Sequence, residues 1–146
     1  MVKYPTGTTI KYQKRQLQNL ELKQPKKPKF GNKRVTIDGI TFDSGIEADY
    51  YQYLKVLKVD FRYHQSFPLL PKFKVVGKTV RGAIYTPDFS IYTDGKLTSV
   101  VDTKGGQATM TDASRLRMKF FMYQYHVPVV IATQDSRTKM FEEKIK

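Results

Sequence analysis

Cysteine is missing from this chain. That excludes disulfides, thiolate catalysis and zinc–cysteine sites, and it fits a reducing cytoplasm. Long apolar runs are missing too, so no segment has the length of a membrane span. Residues 1–12 lack the charged-then-apolar order of a signal peptide. Acidic residues are scarce, with 13 Asp+Glu against 26 Lys+Arg and a net charge of +13. So large an excess on a small chain favours a polyanionic partner. Nucleic acid suits it better than an anionic membrane surface, because no basic amphipathic helix stands out.

With 146 residues there is room for one domain with one modest core. Hydrophobic residues make up 40%, enough to fold. Residues 1–34 read as a flexible basic arm with ten Lys or Arg and a single acid, Glu21. Gln24-Pro25-Lys26-Lys27-Pro28-Lys29 suits neither a helix interior nor a central strand. A short helix is expected near Tyr12–Leu22. Such an arm, with Lys26 and Lys27 at its centre, tracks phosphates with little sequence preference.

Residues 35–146 read as the folded domain. Val35–Phe42 is expected as a hairpin turning at Asp38-Gly39. Ser44-Gly45-Ile46-Glu47 opens a helix to about Val59, with Ile46, Tyr50, Tyr53, Leu54 and Leu57 as its buried stripe. Strands are expected over Phe61–Phe67, Phe73–Val76, Val80–Thr93 (bent at Pro87) and Leu97–Lys104. Thr111 caps a helix to Tyr125 with Leu116, Phe120 and Tyr123 as its apolar stripe. Val127–Ala132 is a buried strand that pairs in parallel after this crossover, and Ser136–Ile145 is a terminal helix.

The chemistry is concentrated in Pro87-Asp88 and Asp102-Thr103-Lys104. Two carboxylates are hard oxygen donors suited to Mg²⁺ or Mn²⁺. An adjacent ammonium adds positive charge where a phosphate would be attacked. Asp102 and Lys104 share one strand face by period two. Asp88 joins them only if the turn at Asp94-Gly95 has the right parity. A plain two-residue hairpin would put the acids on opposite faces. A three-residue loop, or a compensating bulge, is required. The three-residue loop would set Asp88 opposite Val100, diagonal to Asp102.

Glu47 is the third carboxylate, and Ser44-x-x-Glu47 is equally a capping box, so both roles stay open. Arg115, Lys119, Arg81 and Lys72 are candidate phosphate contacts. Gly105-Gly106 offers close backbone approach or a plain loop. His64 and His126 lack ligand spacing and read as structural. Phe89, Ile91 and Phe120 read as core.

The spacing PD…DTK, in the helix, three strands, helix, strand order from Ser44 to Ala132, resembles the PD-(D/E)XK nuclease superfamily. The size, the first-helix glutamate and the basic arm resemble phage-type Holliday junction resolvases. Lys3-Tyr4-Pro5-Thr6-Gly7 is similar to the start of bacterial RecU resolvases. The resemblance implies an α/β, restriction-endonuclease-like αβββαβ core and a Mg²⁺- or Mn²⁺-dependent endodeoxyribonuclease. Asp88, Asp102, Glu47 and the Thr103 carbonyl would hold the metal, and Lys104 would support the attacking water. It implies branched or four-way DNA as partner, a homodimer, and a phage or prophage origin in a bacterial cytoplasm. The alternatives are a nickase or restriction-like enzyme of the same fold, a non-catalytic DNA-binding protein, and an RNA-binding accessory protein.

Overall fold

A computed structural model describes residues 33–106 and 110–146. Lys26, Lys27 and the helix expected near Tyr12–Leu22 lie outside the described residues.

The chain opens with a hairpin of β1 (Val35–Ile37) and β2 (Ile40–Phe42), turning at Asp38 and Gly39 with φ of 51° and 78°. This is the Asp-Gly turn that the sequence calls for. Helix α1 (Gly45–Val56) follows, and the Ser44 hydroxyl accepts the Glu47 backbone N–H at 3.2 Å. Tyr50, Tyr53 and Leu54 are buried as expected, and Ala48, Tyr51 and Glu47 are buried with them.

The main sheet has five strands in the order β11-β10-β9-β8-β3. They are β3 (Asp60–Tyr63), β8 (Phe89–Thr93), β9 (Lys96–Gly105), β10 (Val129–Gln134) and β11 (Phe141–Ile145). β9 and β10 pair in parallel through the crossover helix α2 (Asp112–Tyr125), and the other neighbours are antiparallel. Strand alternation feeds two cores. Phe89, Ile91, Val101, Val130 and Ala132 face α1 and the β1–β2 hairpin. Val100 and Val129 face Met118 and Phe121 of α2. Helices therefore cover both faces of a mixed sheet, and the fold is α/β with strands predominant.

Between β3 and β8 the chain leaves the sheet. β4 (Phe67–Leu70) pairs with β7 (Ala83–Tyr85), and β5 (Phe73–Val75) with β6 (Lys78–Val80). The single strand expected over Val80–Thr93 is thus three strands. One break falls at Gly82, where a Cβ would lie 2.5 Å from the Leu70 carbonyl oxygen. The other falls at Pro87, which has no N–H to give a ladder.

Two further expectations are overturned. Ser136–Ile145 is not a helix. Asp135 accepts the backbone N–H groups of Arg137 (2.9 Å) and Thr138 (2.7 Å), closing a turn. β11 then returns along β10, and Phe141 packs against Tyr50 and Tyr53. Pairing with an open sheet edge outweighs local helix preference here. On α2, Leu116, Phe120 and Tyr123 are not the buried stripe but the exposed one, and Met118 and Phe121 are buried instead. Both sets have helical spacing, so periodicity alone does not say which faces inward.

Candidate active site

The turn between β8 and β9 holds two residues, Asp94 and Gly95, with φ of 50° and 75°, and Thr93 pairs with Lys96. This hairpin alone would separate the two acids. The register then shifts: Tyr92 pairs with Leu97 but Ile91 with Ser99, so Thr98 is an extra residue. Its hydroxyl donates to the Ile91 carbonyl at 3.2 Å. The expected three-residue loop does not form, and the compensating bulge does. Phe89 therefore pairs with Val101, and the register continued one step past the start of β8 sets Asp88 against Asp102, not Val100, which agrees with the Asp102 charge acting on Asp88.

Both carboxylates are held by local donors. Asp88 Oδ2 accepts the Thr103 backbone N–H at 2.7 Å and the Thr103 hydroxyl at 2.8 Å. Asp102 Oδ2 accepts the Tyr85 hydroxyl at 2.8 Å. Burial is the main force raising the Asp88 pKa, to about 6, and the neighbouring Asp102 and Glu47 charges add to it against the Thr103 bonds. Burial also raises Asp102, opposed by the Tyr85 bond and by the Lys104 charge. The Tyr85 phenol is pushed up, by burial first and then by Asp102.

Glu47 enters from the first turn of α1. The Ser44 hydroxyl donates to its Oε1 at 3.0 Å, and the Tyr63 hydroxyl to its Oε2 at 2.6 Å. Burial raises the Tyr63 phenol, and its bond to Glu47 raises it further. Glu47 is therefore both part of a capping arrangement and a neighbour of the two aspartates.

His64, which the sequence presents as structural, stands instead between Glu47 and Asp88. Its Nε2 lies 3.5 Å from Glu47 Oε2 and 4.0 Å from Asp88 Oδ1. Its backbone N–H donates to the Asp88 carbonyl at 3.0 Å, and its φ is 52°. Asp43, Glu47 and His64 also bring one potential ligand atom each within 4.8 Å of one another. No sequence signal ties His64 to Asp88, because the link is a long-range strand pairing.

A cleft of about 320 Å³ opens over Asp102 and Lys104, walled by Ile84, Tyr85 and Thr86 on one side and by Ser114, Arg117 and Met118 of α2 on the other. Arg117 is thus the α2 cation at the cleft. Arg115 lies 3.4 Å from Asp112, and Lys119 is exposed away from the lining residues. Arg81 and Lys72 are exposed in the insertion between β3 and β8. His126 ends α2 in the left-handed conformation, a structural cap.

Carboxylates are hard oxygen donors, but among the described residues the group whose ligand atoms lie within 4.8 Å of one another is Asp43, Glu47 and His64, not Asp88, Asp102 and Glu47. Two mostly buried acids with raised pKa values, and a third beside them, form an arrangement that a positive ion relieves. No helix among the described residues is long and apolar enough to cross a membrane. Neither the curated proteins nor the solved structures provide a match. A family profile described as "Protein of unknown function (DUF1064)" matches residues 27–134, most of the chain, and the chain belongs to that family.

Proposed function

We propose that this protein is a metal-dependent endodeoxyribonuclease of the PD-(D/E)XK kind, directed at branched DNA. The observation that carries the reading is the β8–β9 register, Phe89 against Val101, which leaves Asp88 beside Asp102, with Glu47 and Lys104 near enough to act on Asp102 electrostatically. Its support from composition is the net charge of +13.

A bound Mg²⁺ or Mn²⁺ would supply Lewis acidity and a water of lowered pKa. Asp88, Asp102 and Glu47 would hold it. Thr103, through its N–H and hydroxyl, fixes the Asp88 rotamer. Tyr85 fixes Asp102 in the same way. Lys104, on the face of Asp102, is placed to stabilise negative charge developing on a phosphate. Arg117 stands across the cleft to clamp a neighbouring phosphate. Among the described residues no separate unit stands beside the core to read sequence, which fits recognition of DNA shape, and symmetric cleavage of a four-way junction would need a homodimer.

The test is incubation of labelled four-way junction and linear duplex with the protein in Mg²⁺, Mn²⁺ or EDTA. Paired symmetric nicks in the junction, lost in EDTA and in Asp102→Asn, are expected. Binding without cutting in every metal would overturn the enzymatic reading in favour of a DNA-binding protein.

A further inference from the structure

Helix α2 carries an apolar stripe that the other described residues leave uncovered. Leu116, Phe120 and Tyr123 are 55%, 52% and 81% exposed. At about 100° per residue they lie opposite Met118 and Phe121, the residues that anchor the helix to the core. The two aromatic side chains are one helical step (i, i+3) apart, about 5–6 Å between Cβ atoms. Cations border the stripe on both sides, Arg117 on one and Lys119 on the other. Arg117 also lines the cleft over Asp102 and Lys104. The stripe therefore begins within a turn of the candidate active site.

A second copy of the chain is a poor occupant. Two such stripes meeting about a two-fold axis would bring the bordering cations of one copy against those of the other. An unpaired nucleic-acid strand fits both features at once. Its bases have apolar faces for Phe120 and Tyr123, and its phosphates suit the bordering Arg117 and Lys119.

We infer that the outer face of α2 is a stacking track for unpaired nucleotides, leading from the catalytic cleft along Phe120 and Tyr123. The inference deepens the nuclease proposal and rests on it for the class of ligand. It gives the substrate a single-stranded segment beside the scissile bond, such as a flap, gap or opened junction arm.

The test is done in EDTA, so that cleavage plays no part. The chain has no tryptophan. Tyr123→Trp therefore introduces a single indole whose emission reports stacking. Its quenching by oligo-dT, but not by a blunt duplex of equal charge, is expected. Phe120→Ala and Tyr123→Ala should each weaken oligo-dT binding about fivefold or more, with Tyr123→Phe near the parent value. Far-UV circular dichroism checks that each variant folds. Unquenched emission together with unchanged oligo-dT affinity would overturn the track. So would a concentration-dependent dimer that Tyr123→Ala dissolves, since a second copy would then own the stripe. Junction cleavage in Mg²⁺ by the parent separates the two proposals: loss of the track with cleavage intact sinks this inference alone, and stacking without cleavage sinks only the enzymatic reading.

Discussion

Replacing Asp88 by Asn should stabilise this protein, and by an amount that depends on pH. Burial, with Asp102 and Glu47 nearby, raises Asp88 from an ordinary 3.8 to about 6. An acid whose pKa is higher in the folded chain than in the unfolded one binds its proton more tightly when folded. Stability is then greatest below the unfolded pKa and falls as pH rises towards the folded pKa. The full loss, reached above pH 6, is about 3 kcal/mol for a shift of about two units. Asp102 shifts the same way and adds to the slope. Asn keeps a carbonyl oxygen for the two Thr103 donors and removes the charge. Urea unfolding of Asp88→Asn and parent, without divalent cation, should differ by about 3 kcal/mol at pH 7.5 and about 1 kcal/mol at pH 4.5. Millimolar Mg²⁺ or Mn²⁺ should close part of the gap at pH 7.5 by stabilising the parent alone. A variant no more stable than the parent at pH 7.5, or a gain that does not shrink in acid, would refute the electrostatic reading of this pair.

Three further substitutions probe the site and its frame. Glu47→Gln keeps one oxygen to accept the Tyr63 hydroxyl and turns an amide N–H towards the Ser44 hydroxyl, which can accept it, so it should keep the melting temperature within a few degrees while weakening Mn²⁺ binding, measured by calorimetry, at least tenfold. Tyr85→Phe removes the hydroxyl that supports ionised Asp102 and should cost about 2 kcal/mol at pH 7.5, and less in acid where Asp102 is protonated; equal losses at both would count against it. Gly82→Ala would drive a Cβ into the Leu70 carbonyl and should cost about 1–3 kcal/mol in urea unfolding, with neutral behaviour ruling out the close approach of β7 to the 70–72 segment.

Local signals served well where the structure is local. The Asp38-Gly39 turn, the Ser44 and Thr111 caps and the parallel β9–β10 pair were all readable, since each rests on a few adjacent residues or on one crossover. The requirement that something compensate an even hairpin also followed from strand geometry, although Thr98 as the extra residue did not. What failed was decided by distant partners. Ser136–Ile145 has helical preferences but meets a free edge of β10. Leu116, Phe120 and Tyr123 form a stripe as regular as the one around Met118 and Phe121, and only the packing of β4 and β7 against α2 selects between them. His64 joins Glu47 and Asp88 through pairing of β3 with β8, which leaves no mark on the spacing of ligand residues.

The bulge at Thr98 turns the space between the two aspartates into a question of odd and even. Any relative of this chain is free to lengthen or trim the β8–β9 tip by pairs of residues and keep both acids together. A change of one must be answered by a second change elsewhere in the same hairpin, or the acids part company with the sheet between them.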